Sequence, residues 1–222
     1  MKLPRFPAAV IFDMDGLLFD TEIIYRKALF AAATEGCHVM TDDLHRQMLG
    51  CPWAVIRTQL LQHYGDQFPI DAFRASWLRH FNLISENGLA VKAGVIELLD
   101  ELDRLSIPRA IATSSFRESA EHHLDRHRIR GRFHFIVAHG DYADSKPAPD
   151  PYLKAAKLLK TDPYLCLALE DSHNGVRSAA AAGMMTIMVP DLMPPTSEMR
   201  DLCVAVASDL HDVRDLMAGA RY

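Results

Sequence analysis

Five short apolar runs decide most of what this chain can become. They occupy residues 8–12, 109–113, 133–138, 166–169 and 186–189, and each gives way to turn, hydroxyl or acidic residues. Runs this short, continuous rather than alternating, predict strands buried on both faces, as in a parallel sheet. Helical patterns lie between them. Val95, Leu98, Leu99, Leu102 and Leu105 recur at three- and four-residue spacing, an apolar stripe made to lie on a sheet. Asp150 followed by Pro151 predicts an N-cap with proline at the first helical position, and the pattern runs on to Leu159. Residues 174–182 read as a helix of small side chains closed by Gly183. Strand and helix in alternation predict an α/β fold with a doubly wound parallel sheet.

One interval breaks the rhythm. A βαβ unit takes roughly 30 residues, yet the first run ends at Phe12 and the second begins at Arg109. The stretch between is helical in tone, with Gly50, Pro52, Gly65 and Pro69 as loop breakers and no clear strand. The expected organisation is a core of residues 1–20 and 91–222 with a helical cap inserted over 21–90, hinged near 20–21 and 87–94.

The chain has 222 residues, 49% hydrophobic and 24% charged, enough for a substantial core and unlike a disordered or membrane chain. Its 24 basic and 29 acidic residues leave a net charge of -5 with no long run of either sign. Neither a nucleic-acid nor a membrane partner is expected, and phosphate binding would have to come from a local site. Cys37, Cys51, Cys166 and Cys203 are scattered, which argues against a zinc ribbon or a disulfide scaffold and fits a reducing cytoplasm. The apolar start at 6–12 is interrupted by Pro7 and ended by Asp13, far short of the roughly 18 residues a membrane span needs. No secretory cleavage pattern follows it.

Ligands of open α/β sheets bind at the carboxyl ends of the strands, so the polar residues after each run are the ones to collect. They are Asp13-Met14-Asp15-Gly16, Thr113-Ser114-Ser115, Ser145-Lys146-Pro147 and Glu170-Asp171. Alternation puts the Asp13 and Asp15 carboxylates toward the crevice with Met14 turned to the core, and Gly16 permits a sharp turn. Two carboxylates so close differ in proton affinity, which lets one serve as nucleophile and the other as acid. With Glu170 and Asp171 added, the cluster suits a hard divalent cation, Mg²⁺ above all. Lys146 supplies a compact positive charge. Thr113 and the amides after it offer donors to phosphate oxygens at a helix N-terminus. Phosphoryl transfer needs these parts.

Phe12-Asp13-Met14-Asp15-Gly16-Leu17-Leu18-Phe19-Asp20-Thr21-Glu22, Thr113-Ser114-Ser115, Ser145-Lys146-Pro147-Ala148-Pro149-Asp150-Pro151 and Leu169-Glu170-Asp171-Ser172-His173-Asn174-Gly175, in that order, resemble the haloacid dehalogenase superfamily. The likeness is to its phosphatase and β-phosphoglucomutase-like branch, and it implies a Rossmann-like core with a helical cap. It implies further that Asp13 attacks phosphorus to give an aspartyl-phosphate, and that Asp15 protonates the leaving oxygen and then activates water. Thr113, Ser114 and Lys146 would hold the phosphoryl group. Mg²⁺ would sit on Asp13, the backbone carbonyl of Asp15 and Asp171, with Glu170 in or near its shell. The substrate expected is a small soluble phosphomonoester, the cap excluding water and choosing the leaving group, and the protein is expected as a monomer or weak dimer.

Mutases of this branch carry a histidine where Tyr25 stands, and a cap arginine near the place of Trp53, just after Gly50-Cys51-Pro52. Lacking both, the chain looks more like a phosphatase than a sugar-phosphate mutase. A phosphoaccepting receiver module shares the aspartate, acidic pair, hydroxyl and lysine, but not the inserted segment or Asp15. Simpler roles compete at each position: Asp13 alone could end a loop, Thr113 could cap a helix and Lys146 could be a solvated loop residue. His122, His123, His127 and His134 have no usable ligand spacing and are expected at the surface. Trp53, Arg57, Arg74 and Trp77 could face substrate, but packing or solvating the cap is the reading preferred for each, and Met184, Met185 and Met188 are expected to fill the core.

Overall fold

A computed structural model describes residues 3–49, 51 and 53–220, the side chain of Asn87 excepted. Gly50 and Pro52, read above as loop breakers, lie outside the described residues. The chain divides into two compact units, one of residues 1–19 and 91–222, the other of residues 20–90.

The first unit is built on six parallel strands, β1 (Ala9–Phe12), β2 (Arg109–Phe116), β3 (Phe135–His139), β4 (Cys166–Glu170), β5 (Met185–Met188) and β6 (Ala205–Val206), in the order β3-β2-β1-β4-β5-β6. This is a doubly wound α/β sheet, and the strand order reverses beside β1, where such sheets bind ligands. Within β1 all four residues are buried, and within β4 all five, which explains their unbroken apolar character. β2 runs past the expected end at Thr113 to Phe116, because its tail of exposed Ser114, half-buried Ser115 and exposed Phe116 looks like turn chemistry in sequence. β3 starts two residues later than expected, at Phe135. Its neighbour Phe133 packs edge-on against Phe12, 5.6 Å between ring centroids.

Five longer helices flank this sheet: α5 (Val95–Arg104), α6 (Arg117–Arg126), α7 (Asp150–Leu158), α8 (His173–Ala181) and α10 (Leu210–Gly219), with a short α9 (Ser197–Leu202) before β6. α5 buries Val95, Leu98, Leu99 and Leu102 and packs on α10; each such leucine contributes about 1.5–3 kcal/mol. α7 and α8 approach the sheet closely because the contact is made of small residues, Ala155, Ala156 and Ala179 against Ala9, Ala110, Ala112 and Ala168. Two boundaries move by one residue: Asp150 is the first residue of α7, with Pro149 at the cap, and α8 is capped by Ser172, whose side chain accepts from Gly175 N–H. Gly183, at φ +79, closes α8 with Gly183 N–H on the Ala180 carbonyl and Met184 N–H on that of Ala179, the two bonds of a Schellman end.

His122 and His134 are exposed, but His123 is buried and His127 half-buried. Their rings lie near that of Phe19, at 6.0 and 5.1 Å, and burial lowers the His123 pKa, keeping it neutral. The expectation of surface histidines therefore fails for these two: Ala120, His123, Leu124 and His127 form one face of α6.

The second unit consists of α1 (Thr21–Glu35), α2 (Asp42–Met48), α3 (Trp53–Tyr64) and α4 (Ile70–Gly88). Leu29, Leu44, Leu60, Phe68 and Phe73 form its core, with Trp53 and Trp77 packed against it. Tyr25 stacks on Phe81 at 4.2 Å, and Arg74 lies over the Trp53 ring. No helix among the described residues is long and apolar enough to cross a membrane.

Candidate active site

The site is assembled at one edge of the first unit by four strand ends. β1 delivers Asp13, nearly buried, then Met14, wholly buried, and the half-buried Asp15, as side-chain alternation requires. Gly16 follows at φ +82, and a Cβ there would stand 2.3 Å from Asp171 Oδ2, so only glycine lets the chain turn that close to the β4 end.

Lys146 is the hub. Its Nζ donates to Asp13 Oδ1 at 2.5 Å and to Glu170 Oε1 at 2.6 Å, with the side chain only 7% exposed. Glu170, the last residue of β4, is completely buried and fully engaged. Oε1 also accepts from Tyr152 Oη at 2.7 Å, and Oε2 from the N–H groups of Asp171 and Ser172 and the Ser172 hydroxyl. Five donors satisfy that carboxylate, so it holds Lys146 in place and has little coordinating capacity left. Gly175 makes room for it: a Cβ there would lie 1.8 Å from Glu170 Oε1.

Burial pushes the Asp13 carboxyl up to about 7; Lys146 pulls against this, and the neighbouring charges of Glu170 and Asp15 add to it. Burial alone would lower Lys146, but Asp13 and Glu170 outweigh it and hold the ammonium above its ordinary value. The lysine is thus a fixed positive charge, and Asp13 is a carboxyl whose ionisation burial opposes and a further cation beside it would favour.

Asp15 is held separately, by the Ser115 hydroxyl at 2.6 Å and by Thr113 Oγ1 at 3.4 Å. Thr113 is fully buried, accepts from Ser115 N–H, and has its own carbonyl bonded by Tyr142 Oη. It does not cap the next helix and is not at its N-terminus, because β2 continues through Phe116 before α6 begins. Ser114 is exposed.

The sequence-predicted residues Asp13, Glu170 and Asp171 come together, each with a ligand-capable oxygen within 4.8 Å of the others. That all-oxygen set, the glycine-made gap at residue 16 and the carboxyl raised by burial fit a hard dication. Asp15 contributes no side-chain oxygen to this group. Ser115 and Tyr152 hold the site's carboxylates but were not among the predicted residues. Ser115 stands in the quoted motif one place beyond the residues chosen, whereas no local signal marks Tyr152. Asp191, past the end of β5, was also missed, although the strand-end rule reaches it.

Comparisons with known proteins show the family of the chain. The family model described as haloacid dehalogenase-like hydrolase matches residues 10–189. The plasmid-encoded protein CbbY of Cupriavidus necator is 34% identical over 197 residues, covering 82% of this chain and 78% of that protein. A phosphorylated carbohydrates phosphatase of Thermotoga maritima is 31% identical over 179 residues, covering 81% and 83%. Among solved structures, a Thermotoga maritima protein provisionally assigned as a β-phosphoglucomutase superposes with a TM-score of 0.83 at 27% identity, over 95% of this chain and 98% of that one.

Proposed function

This chain belongs to the haloacid dehalogenase-like hydrolases, and from that premise we propose that it is a magnesium-dependent phosphatase of sugar phosphates or similar small phosphomonoesters, acting in the cytoplasm. The observation that carries the proposal is the pairing of a buried Asp13, fixed by Lys146 and next to Asp171, with an Asp15 held apart by hydroxyls.

In the proposed reaction the free oxygen of Asp13 attacks phosphorus, and the bond to the ester oxygen breaks. Asp15, oriented by Ser115, gives that oxygen its proton and the alcohol leaves. Asp15 then takes a proton from water, whose oxygen attacks the aspartyl-phosphate, and Asp13 and inorganic phosphate are regenerated. Lys146 and the hydroxyls of Thr113 and Ser114 hold the equatorial oxygens. Mg²⁺ bound to Asp13 and Asp171, with the Asp15 carbonyl, would neutralise the attacker and the ester so that two anions can meet. Glu170 stays behind as the anchor of Lys146. The helical unit is taken as the part that selects the leaving group. Tyr25, where mutases carry a histidine, and Trp53, near the place of their cap arginine, are packed among that unit's aromatic side chains, which favours hydrolysis over phosphate return.

The test is release of inorganic phosphate from a broad panel of phosphorylated metabolites in the presence of Mg²⁺. A turnover of about 1–10³ s⁻¹ on at least one sugar phosphate is expected, with none in Asp13→Asn. Phosphate release by Asp13→Asn at the wild-type rate, or none on any substrate, would overturn the proposal.

A further inference from the structure

Beyond β5 the chain passes through Val189, whose N–H bonds the Glu170 carbonyl at 2.7 Å, to Asp191. Its side chain is 13% exposed, and Oδ1 takes a 2.5 Å ion pair from Lys92. Lys92 is itself tied to the loop after Asp15, because its N–H bonds the Leu18 carbonyl and Val91 pairs with Phe19. The other oxygen, Asp191 Oδ2, is buried and has no hydrogen-bond partner among the described residues. A buried carboxylate oxygen left without a donor is costly to the fold.

That oxygen points into the site. One point, where a Cβ of Gly16 would stand, lies 3.4 Å from Asp191 Oδ2 and 2.3 Å from Asp171 Oδ2. The two oxygens are no further apart than the sum of those distances, so no more than one water is needed to reach from one to the other. Two carboxylates facing each other repel unless a donor lies between them. Asp191 is not among the residues whose oxygens share the 4.8 Å cluster, so it stands one layer behind the ligands. A water on a metal ion has its lone pair committed to the ion and both protons free to donate, which is what this oxygen requires.

We propose that Asp191, oriented by Lys92, is a positioning residue for the cation of this site, accepting a hydrogen bond from a water bound to the ion that Asp13 and Asp171 hold. The inference rests on the metal-dependent reading above. Such outer partners change metal affinity about 10- to 100-fold when removed.

The experiment is calorimetric titration of Mg²⁺ into the full chain stripped of metal by chelator, for wild type, Asp191→Asn, Lys92→Met and Asp171→Asn, with melting curves recorded in chelator. Asparagine keeps an oxygen for Lys92 but turns an NH₂ group, which cannot accept, toward the water. Asp191→Asn should weaken Mg²⁺ binding 10- to 100-fold while melting no lower than wild type without metal; Lys92→Met should weaken it in the same direction, and Asp171→Asn should abolish it. Wild-type affinity in Asp191→Asn, with or without a lower melting temperature, overturns the inference and leaves the site reading intact. Absence of Mg²⁺ uptake by wild type, or wild-type affinity in Asp171→Asn, overturns the site reading and the inference with it.

Discussion

Replacing Asp13, the proposed nucleophile, should make the metal-free protein more stable, and increasingly so as pH rises. The ordinary carboxyl value for Asp13 is 3.8, and in the folded protein burial, with Glu170 and Asp15 adding to it and Lys146 opposing, raises it to about 7. Between about pH 4 and 7 the folded state therefore keeps a proton that the unfolded chain has released. Stability falls with pH wherever the folded state binds more protons, so wild type loses stability across that window. A difference of about three units at about 1.4 kcal/mol each sets the loss at about 4 kcal/mol above pH 7. Asp13→Asn has no proton to lose and keeps an oxygen for Lys146, which retains its 2.6 Å pair with Glu170. Urea unfolding in chelator should show the variant gaining on wild type by about 2–4 kcal/mol between pH 4.5 and pH 8. Mg²⁺ should close the gap, because it stabilises only the chain that binds it. A stability difference that stays flat across pH would refute the argument, since it would mean that Asp13 is ionised in the buried site without help.

Three further outcomes follow from the same contacts. Gly175→Ala would ordinarily favour a helix by about 1 kcal/mol, but its Cβ would meet the Glu170 carboxylate; a loss of about 1–3 kcal/mol is expected in thermal melts, and a gain would contradict the packing. Tyr152→Phe removes a 2.7 Å donor to a buried carboxylate and should cost about 1.5–3 kcal/mol in urea unfolding. Asp15→Asn, still reachable by the Ser115 hydroxyl, should lower kcat on the best substrate about 10²–10⁴-fold with melting temperature unchanged; an undiminished kcat would remove Asp15 from proton transfer.

The parallel sheet was legible because β1 and β4 are buried on both faces, and a strand with no solvent side has no reason to alternate. β6 was not, since two residues, Ala205 and Val206, carry no period. The tail of β2 was hidden for the opposite reason: Ser114 and Ser115 are polar because the strand enters the site there, and polarity in sequence reads as a turn. His123 could have been read from the spacing of Ala120 and Leu124, which puts it on the buried side of α6, but the charged residues around it masked that face. At the site, strand-end chemistry indicated which groups could gather at one edge. It could not say that Tyr152, eighteen positions before Glu170, would stand beneath it. That depends on how deeply the alanines of α7 let the helix settle on the sheet.

The charges at this edge arrange themselves in a way that bears on the proposed metal. Lys146 pairs with Glu170 and Lys92 with Asp191, so each ammonium group answers a carboxylate not assigned to the proposed ion. Asp13 and Asp171 remain in front to hold it. Lys146 also touches Asp13, but its positive charge is already balanced by Glu170, and Asp13 responds as an under-compensated carboxyl, pushed upward by burial. Two front carboxylates match one divalent cation in charge. Asp15 is bound by hydroxyls rather than by an ammonium. A group proposed to give and take back a proton is better placed away from a permanent cation, and Asp15 stands beside the Ser115 hydroxyl instead. Moving a lysine to position 115 should therefore abolish turnover while leaving Mg²⁺ binding by Asp13 and Asp171 intact, a separation readable by calorimetry and phosphate release on one preparation.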